Sequence, residues 1–142
     1  MAGEFSIQTS DFYKRRGDDI YLKFEFVDEN GNDIDITGWY SKFTLRDNFN
    51  DKPLTSLQKI HNDLTPGGGG IYYLGDSAPA LPVGLDIEKQ NQCIVLIPHE
   101  ESAELLNDIY SFDIEFTTAS QLAKQTFVRG NLILLQEDTP SV

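Results

Sequence analysis

The chain has 142 residues and a single cysteine, and its 11 Lys and Arg stand against 23 Asp and Glu, a formal net charge of −12. One domain accommodates that length and buries roughly 68% of the surface of the unfolded chain, so neither a metal nor a disulfide is needed to hold a core. Such an acidic surface repels DNA, RNA and anionic lipid, because phosphate binding needs clustered Lys and Arg.

Residues 1–17 read as an N-terminal arm or edge strand. Met1-Ala2-Gly3-Glu4-Phe5-Ser6 has no basic n-region and no apolar h-region, so no secretory signal is expected there. Phe5, Ile7, Phe12 and Tyr13 then stand beside Lys14, Arg15 and Arg16, which outnumber Glu4 and Asp11. So many large apolar groups do not belong in water. One outcome is that the arm folds back as an extra edge strand, since Phe5-Ser6-Ile7 alternates; the other is that it adds to a neighbour's sheet edge. In the second case its basic residues meet an acidic partner, a copy of the same chain included. Taken alone, Lys14-Arg15-Arg16 reads first as a solvated turn and second as a basic docking arm.

A two-residue period dominates the rest, the signature of half-buried strands. Residues 20–26 put Ile20, Leu22, Phe24 and Phe26 on one face and Tyr21, Lys23 and Glu25 on the other. Asp28-Glu29-Asn30-Gly31-Asn32 supplies the turn that follows. Trp39, Phe43 and Leu45 share the inward face of residues 39–45. Shorter strands are expected over 57–61, 71–74 and 92–97. In Cys93-Ile94-Val95-Leu96-Ile97 the thiol reads as a small buried hydrophobe, which favours folding in a reducing cytoplasm. Residues 98–106 suggest one helical turn, with proline and acids early and with Ala103 and Leu106 facing inward. Phe112, Ile114 and Phe116 alternate with Ser111, Asp113 and Glu115 in the cleanest strand. A last strand over 125–136 contains Gly130, where a bulge or bend is expected. About seven strands and one short helical connector predict an antiparallel β-sandwich over residues 18–137, followed by a tail over 138–142. No apolar stretch reaches the ~20 residues of a membrane helix.

Two loops interrupt this order. Residues 65–70 are glycine-rich, with no Gly-Lys-Ser or Gly-Lys-Thr after them and hence no phosphate loop. Residues 75–84 are unusually apolar, and Leu81 and Val83 there either cap the core or meet a partner.

The motifs that carry chemistry fail on spacing. Counting twelve positions from Asp28 puts Asp33 where a calcium loop needs glycine and Trp39 where it needs glutamate. His61 and His99 are the only histidines, and His99-Glu100-Glu101 lacks the second histidine of a zinc protease. The many carboxylates alternate with apolar residues or sit in turns, as solvated acids do. No catalytic residue, metal or cofactor is expected, and the chain is read as a non-enzyme. Tyr21, Tyr40, Tyr72 and Tyr73 are the aromatics that a glycan-binding face would use.

The order of the pieces resembles a known family. Gly17-Asp18-Asp19-Ile20 leads into an alternating strand, Asp28-x-x-Gly31 and Asp35-Ile36-Thr37-Gly38-Trp39 follow, and Val128-Arg129-Gly130-Asn131-Leu132 closes the domain. This is similar to the immunoglobulin-like domains of tailed bacteriophages, and to the N-terminal domain of phage baseplate upper proteins in particular. The chain departs from that family in its longer middle, residues 47–86, and in its N-terminal arm. The resemblance implies an immunoglobulin-like sandwich and a non-enzymatic structural role in a virion, at the tail, baseplate or head surface. It implies assembly in the host cytoplasm, with other virion proteins and copies of the chain as partners, and no nucleic acid or membrane. The interface is expected at Phe5, Ile7, Phe12, Tyr13, Lys14, Arg15, Arg16, Leu81 and Val83. The alternative reading is a module that recognises a host-surface glycan.

Overall fold

The computed structural model describes residues 8–28, 30–47, 52–60, 70–76, 85–117 and 124–135, without the side chains of 8–10, 52–56 and 124–127. In chain order the elements are β1 (Gln8–Arg15), β2 (Ile20–Glu25), β3 (Tyr40–Asp47), β4 (Lys52–Ile60), β5 (Gly70–Tyr73), β6 (Gln92–Ile97), α1 (His99–Ser102), β7 (Ile109–Thr117) and β8 (Lys124–Leu135). They form a five-stranded sheet ordered β1-β8-β7-β3-β4 and a three-stranded sheet ordered β2-β6-β5. Two sheets packed face to face over one core make this an all-β sandwich. Its larger sheet has the G-F-C-C′ order and its smaller sheet the B-E-D order of immunoglobulin-like domains.

The pairings are antiparallel except for β1, which runs parallel to β8 with Phe12 opposite Leu132 and Tyr13 opposite Ile133. The arm is thus the source of an eighth strand and of the departure from a purely antiparallel sandwich. It enters the sheet at an edge and meets β8 without a hairpin, so nothing constrains the two strands to opposite directions.

The two-residue period builds the core as alternation dictates. Ile20, Leu22, Phe24, Phe26, Phe43, Leu45, Phe112, Ile114 and Phe116 are all buried. Phe12, Phe24 and Phe112 form a triangle of rings with centroids 5.4 to 6.0 Å apart, and Phe43 lies 5.4 Å from Phe112. Gly130 faces inward opposite Phe112 and offers no side chain to compete for that space. Trp39 precedes β3 and stays partly exposed, although its ring packs edge-on to Phe116 at 6.1 Å. Tyr110, one residue into β7, accepts the Asn107 N–H at its hydroxyl at 2.9 Å. A tyrosine at this corner bonding to the backbone just upstream is a feature of immunoglobulin sandwiches.

In the smaller sheet β5 and β6 are buried on both faces, while β2 keeps Glu25 exposed on its outer side. Cys93, Val95 and Ile97 join the core, while Ile94, Leu96 and Tyr72 are buried on the opposite side. Residues 85–91 are tied to that side: the Lys23 Nζ donates to the Asp86 carbonyl at 2.7 Å, and Gln92 Oε1 accepts the Glu88 and Lys89 N–H groups. Burial on both faces is why the run from Cys93 to Ile97 lacks polar alternation.

Two local expectations are corrected. Ala103 and Leu106 do not face inward; Ser102 and Leu105 are buried instead. The helix is only four residues long, and its register is set by Ser102, whose hydroxyl donates to the Asp18 carbonyl at 2.7 Å and accepts the Gly17 N–H at 3.0 Å. The bulge is not at Gly130, which pairs regularly with Phe112. The register shifts where Ile114 faces Val128 and Glu115 faces Thr126, so the extra residue is Phe127.

The two turns flanking β3's approach show why their residues are there. Asp28 Oδ1 accepts the Asn30 and Asn32 N–H groups, each at 2.9 Å, and Gly31 takes φ +83°. In the Ile36-Thr37-Gly38-Trp39 corner, the Trp39 N–H donates to the Ile36 carbonyl at 3.0 Å and Gly38 takes φ +78°, a value that suits glycine.

Candidate interaction surface

With the outer sides of β5 and β6 buried, the outer face of the larger sheet is the more open one among the described residues. Its end nearest the start of β7 carries an apolar row. Tyr13 on β1 lies opposite Ile133 on β8, and Ile133 lies opposite Ile109 on β7. Leu135 extends the row on β8, two residues beyond Ile133. Tyr13 is 66% exposed and Leu135 is 48% exposed, so this apolar surface is wet. The described charges around it are mixed: Arg15, Lys42, Arg46 and Arg129 share the face with Asp11, Asp113 and Glu115. A nearly neutral face on a chain of charge −12 is where an acidic molecule meets least repulsion.

The residues expected at an interface separate. Phe12 points inward and packs on Phe24 and Phe112. Tyr13 points outward. Lys14 lies opposite Leu134 and Arg15 opposite Leu135. Arg16 turns back onto the loop before β7, donating from Nε to the Leu105 carbonyl at 2.5 Å and from Nη2 to the Asn107 carbonyl at 2.8 Å. Phe5, Ile7, Leu81 and Val83 lie outside the described residues. Ile109, Ile133 and Leu135 were missed. The signal was available for two of them: Leu132-Ile133-Leu134-Leu135 is apolar at every position, so a strand there must present apolar residues on both faces.

Further along the same face a groove of about 410 Å³ is lined by Arg46, Ser111, Asp113 and Arg129. Arg46 Nε donates to Asp113 Oδ2 at 3.1 Å, which neutralises part of its charge. A second cleft, of about 390 Å³, is lined by Asp47, Leu57, Glu101, Glu104, Leu105 and Tyr110. At its border the buried Lys59 ammonium meets both Glu101 oxygens, at 2.9 and 2.6 Å. There the ion pair anchors α1 to β4.

Further described polar groups are held by contacts within the fold. His99 Nδ1 lies 2.9 Å from Asp19 Oδ1, and the His99 N–H donates to the same oxygen at 2.7 Å. The Asp19 carboxylate raises the His99 pKa above its ordinary value, and the His99 hydrogen bonds lower that of Asp19. A histidine held by an aspartate is half of a nucleophile's apparatus. Here Nε2 faces Glu100 Oε1 at 3.6 Å, and Ser102 is engaged with the Asp18 carbonyl. Burial pushes the Cys93 thiol up, so it stays protonated at neutral pH, and it does the same to the Tyr73 phenol. The Tyr73 hydroxyl donates to the Trp39 carbonyl at 2.9 Å. Among the described residues no three His, Cys, Asp or Glu side chains gather as a metal site would require. The tyrosines do not gather either: Tyr72 and Tyr73 are buried, Tyr40 is exposed at the β3 start, and Tyr21 is partly buried on the other sheet.

Fold and surface together define a two-sheet β-sandwich with an exposed apolar row on its larger sheet. No protein-family model matches the chain, and no curated protein matches it. Among solved structures it is similar to a family 123 glycoside hydrolase from Clostridium perfringens, studied for glycolipid glycan hydrolysis, at 17% identity and a TM-score of 0.39. The alignment covers 96% of this chain and 24% of that one, so the chain spans about a quarter of the hydrolase.

Proposed function

We propose that the chain is a non-enzymatic assembly domain of a tailed phage particle, at the tail, baseplate or head surface, acting through protein contacts. The wet apolar row of Tyr13, Ile133, Ile109 and Leu135 on the outer face of the larger sheet carries the protein-contact part of this reading. Apolar side chains grouped on an exposed face favour a partner that covers them. The phage part rests on the sequence resemblance, above all on the Ile36-Thr37-Gly38-Trp39 corner.

The test uses the full chain and purified tailed-phage particles. The parent chain should co-sediment with particles lacking it. Ile109→Lys and Leu135→Lys, both at exposed positions, should fold normally and lose that binding. Particles that take up both variants at the parental level sink the reading of this face. Saturable binding of the isolated chain to one glycan on an array, with no binding to particles, replaces it with the glycan reading.

A further inference from the structure

β1 is an edge strand, and its backbone direction is fixed by one bond. The Arg16 N–H donates to the Leu135 carbonyl at 3.2 Å. In a parallel ladder, alternate residues turn their N–H and C=O toward the same neighbour. Even-numbered residues at this end of β1 therefore face β8, and Asp11, Tyr13 and Arg15 turn their backbone groups to the edge that no described strand covers. Their side chains stand on the outer face and all three are exposed; Asp11 Oδ1 accepts the Asn131 N–H at 3.1 Å and the Asn131 Nδ2 at 3.2 Å, so Oδ2 is the oxygen that a second copy would meet.

We infer that the β1 edge pairs antiparallel with the β1 edge of a second copy of this chain, about a two-fold axis through Tyr13. A two-fold normal to the sheet keeps the outer faces on one side and sets odd residues opposite odd residues. Centred on Tyr13, this places Asp11 opposite the second copy's Arg15, and Arg15 opposite its Asp11. The two tyrosines lie side by side between these opposite-charge pairs, each a favourable cross-strand combination. Neighbouring registers lose the match. Centring on residue 11 sets Asp11 against Asp11, and centring on residue 15 sets Arg15 against Arg15. On the inner side Phe12 meets the second copy's Lys14, whose aliphatic stem covers an aromatic ring while its ammonium reaches water.

Charged side chains on an edge strand usually discourage pairing. They do so where like charges meet, and β1 set antiparallel to itself brings unlike charges together. The pairing also joins the two apolar rows. Ile109, Ile133 and Tyr13 of one copy continue into Tyr13, Ile133 and Ile109 of the other, across a continuous sheet. This dimer goes beyond the virion reading, since it forms from the isolated chain with no particle present.

The experiment is sedimentation equilibrium of the full chain. The parent should dimerise with rising concentration. Asp11→Arg and Arg15→Asp should each weaken the dimer about tenfold or more, because each sets two like-charge pairs across the axis. An equimolar mixture of the two variants restores unlike pairs at both positions and should dimerise like the parent. Misfolding of either variant does not produce that rescue. Tyr13→Cys should form a disulfide between copies on mild oxidation, because paired Cα atoms about 5.5 Å apart lie within disulfide reach. A parent that stays monomeric, a dimer indifferent to both reversals, or a mixture that fails to dimerise overturns the inference. None of these results bears on particle binding by the outer face.

Discussion

Arg16 and Leu105 are 89 positions apart in the chain, and the Arg16 Nε donates to the Leu105 carbonyl at 2.5 Å. The same guanidinium reaches the Asn107 carbonyl, and the neighbouring Gly17 N–H reaches the Ser102 hydroxyl. The end of the arm is thereby fastened to the connector between the smaller and the larger sheet.

Removing this clamp should be costly. Hydrogen bonds from a charged donor contribute about 1.5–3 kcal/mol each, so Arg16→Ala should lower stability by about 2–4 kcal/mol in urea melts. Arg16→Lys should recover little, because an ammonium cannot reproduce the guanidinium fork that spans two carbonyls. A lysine variant as stable as the parent would mean that charge alone holds the loop.

Phe112→Ala empties the centre of the aromatic cluster, where Phe12, Phe24 and Phe43 all lie within 6.0 Å of the Phe112 ring. A loss of about 3–5 kcal/mol is expected. Chemical denaturation reads it directly, and a near-unchanged midpoint would contradict the packing described above.

Tyr110→Phe removes one oxygen and strands the Asn107 N–H. The cost should be about 1–3 kcal/mol, the desolvation penalty of an unpaired donor, with the aromatic packing retained. Hydrogen exchange at Asn107 should speed up more than at residues in the middle of β7.

The Asp19–His99 pair gives stability a pH dependence. The His99 pKa is raised, so its contribution is fully present below the ordinary value of 6.5 and is lost as pH rises through the raised value. The Asp19 pKa is lowered, so its contribution is present above 3.8 and is lost as pH falls through the lowered value. The pair is strongest between the two. In Asp19→Asn, the His99 titration followed by NMR should fall back toward 6.5. A titration left where the parent has it would assign the shift to Glu100 instead.

The sequence determined the β class, the inward set and the turns, because these follow from local rules. A strand buried on one face must alternate, as Ile20, Leu22, Phe24 and Phe26 do, and a turn at Gly31 or Gly38 needs a residue that tolerates positive φ. It also carried the double burial of β6 in its unbroken apolar run. The tertiary structure decided what depends on meetings between distant segments. Phe12 and Tyr13 are adjacent and both aromatic, and only pairing with β8 sent the first inward and the second outward. Lys14, Arg15 and Arg16 look like one basic cluster, yet the chain turns after β1 and Arg16 alone reaches the carbonyls before β7. Ser102 displaced Ala103 from the inward position because the Asp18 carbonyl and the Gly17 N–H were waiting for a hydroxyl. The outer apolar row is assembled from β1, β7 and β8, and no stretch of sequence contains it, because hydrogen bonding between strands sets the register that brings Tyr13, Ile133 and Ile109 into line.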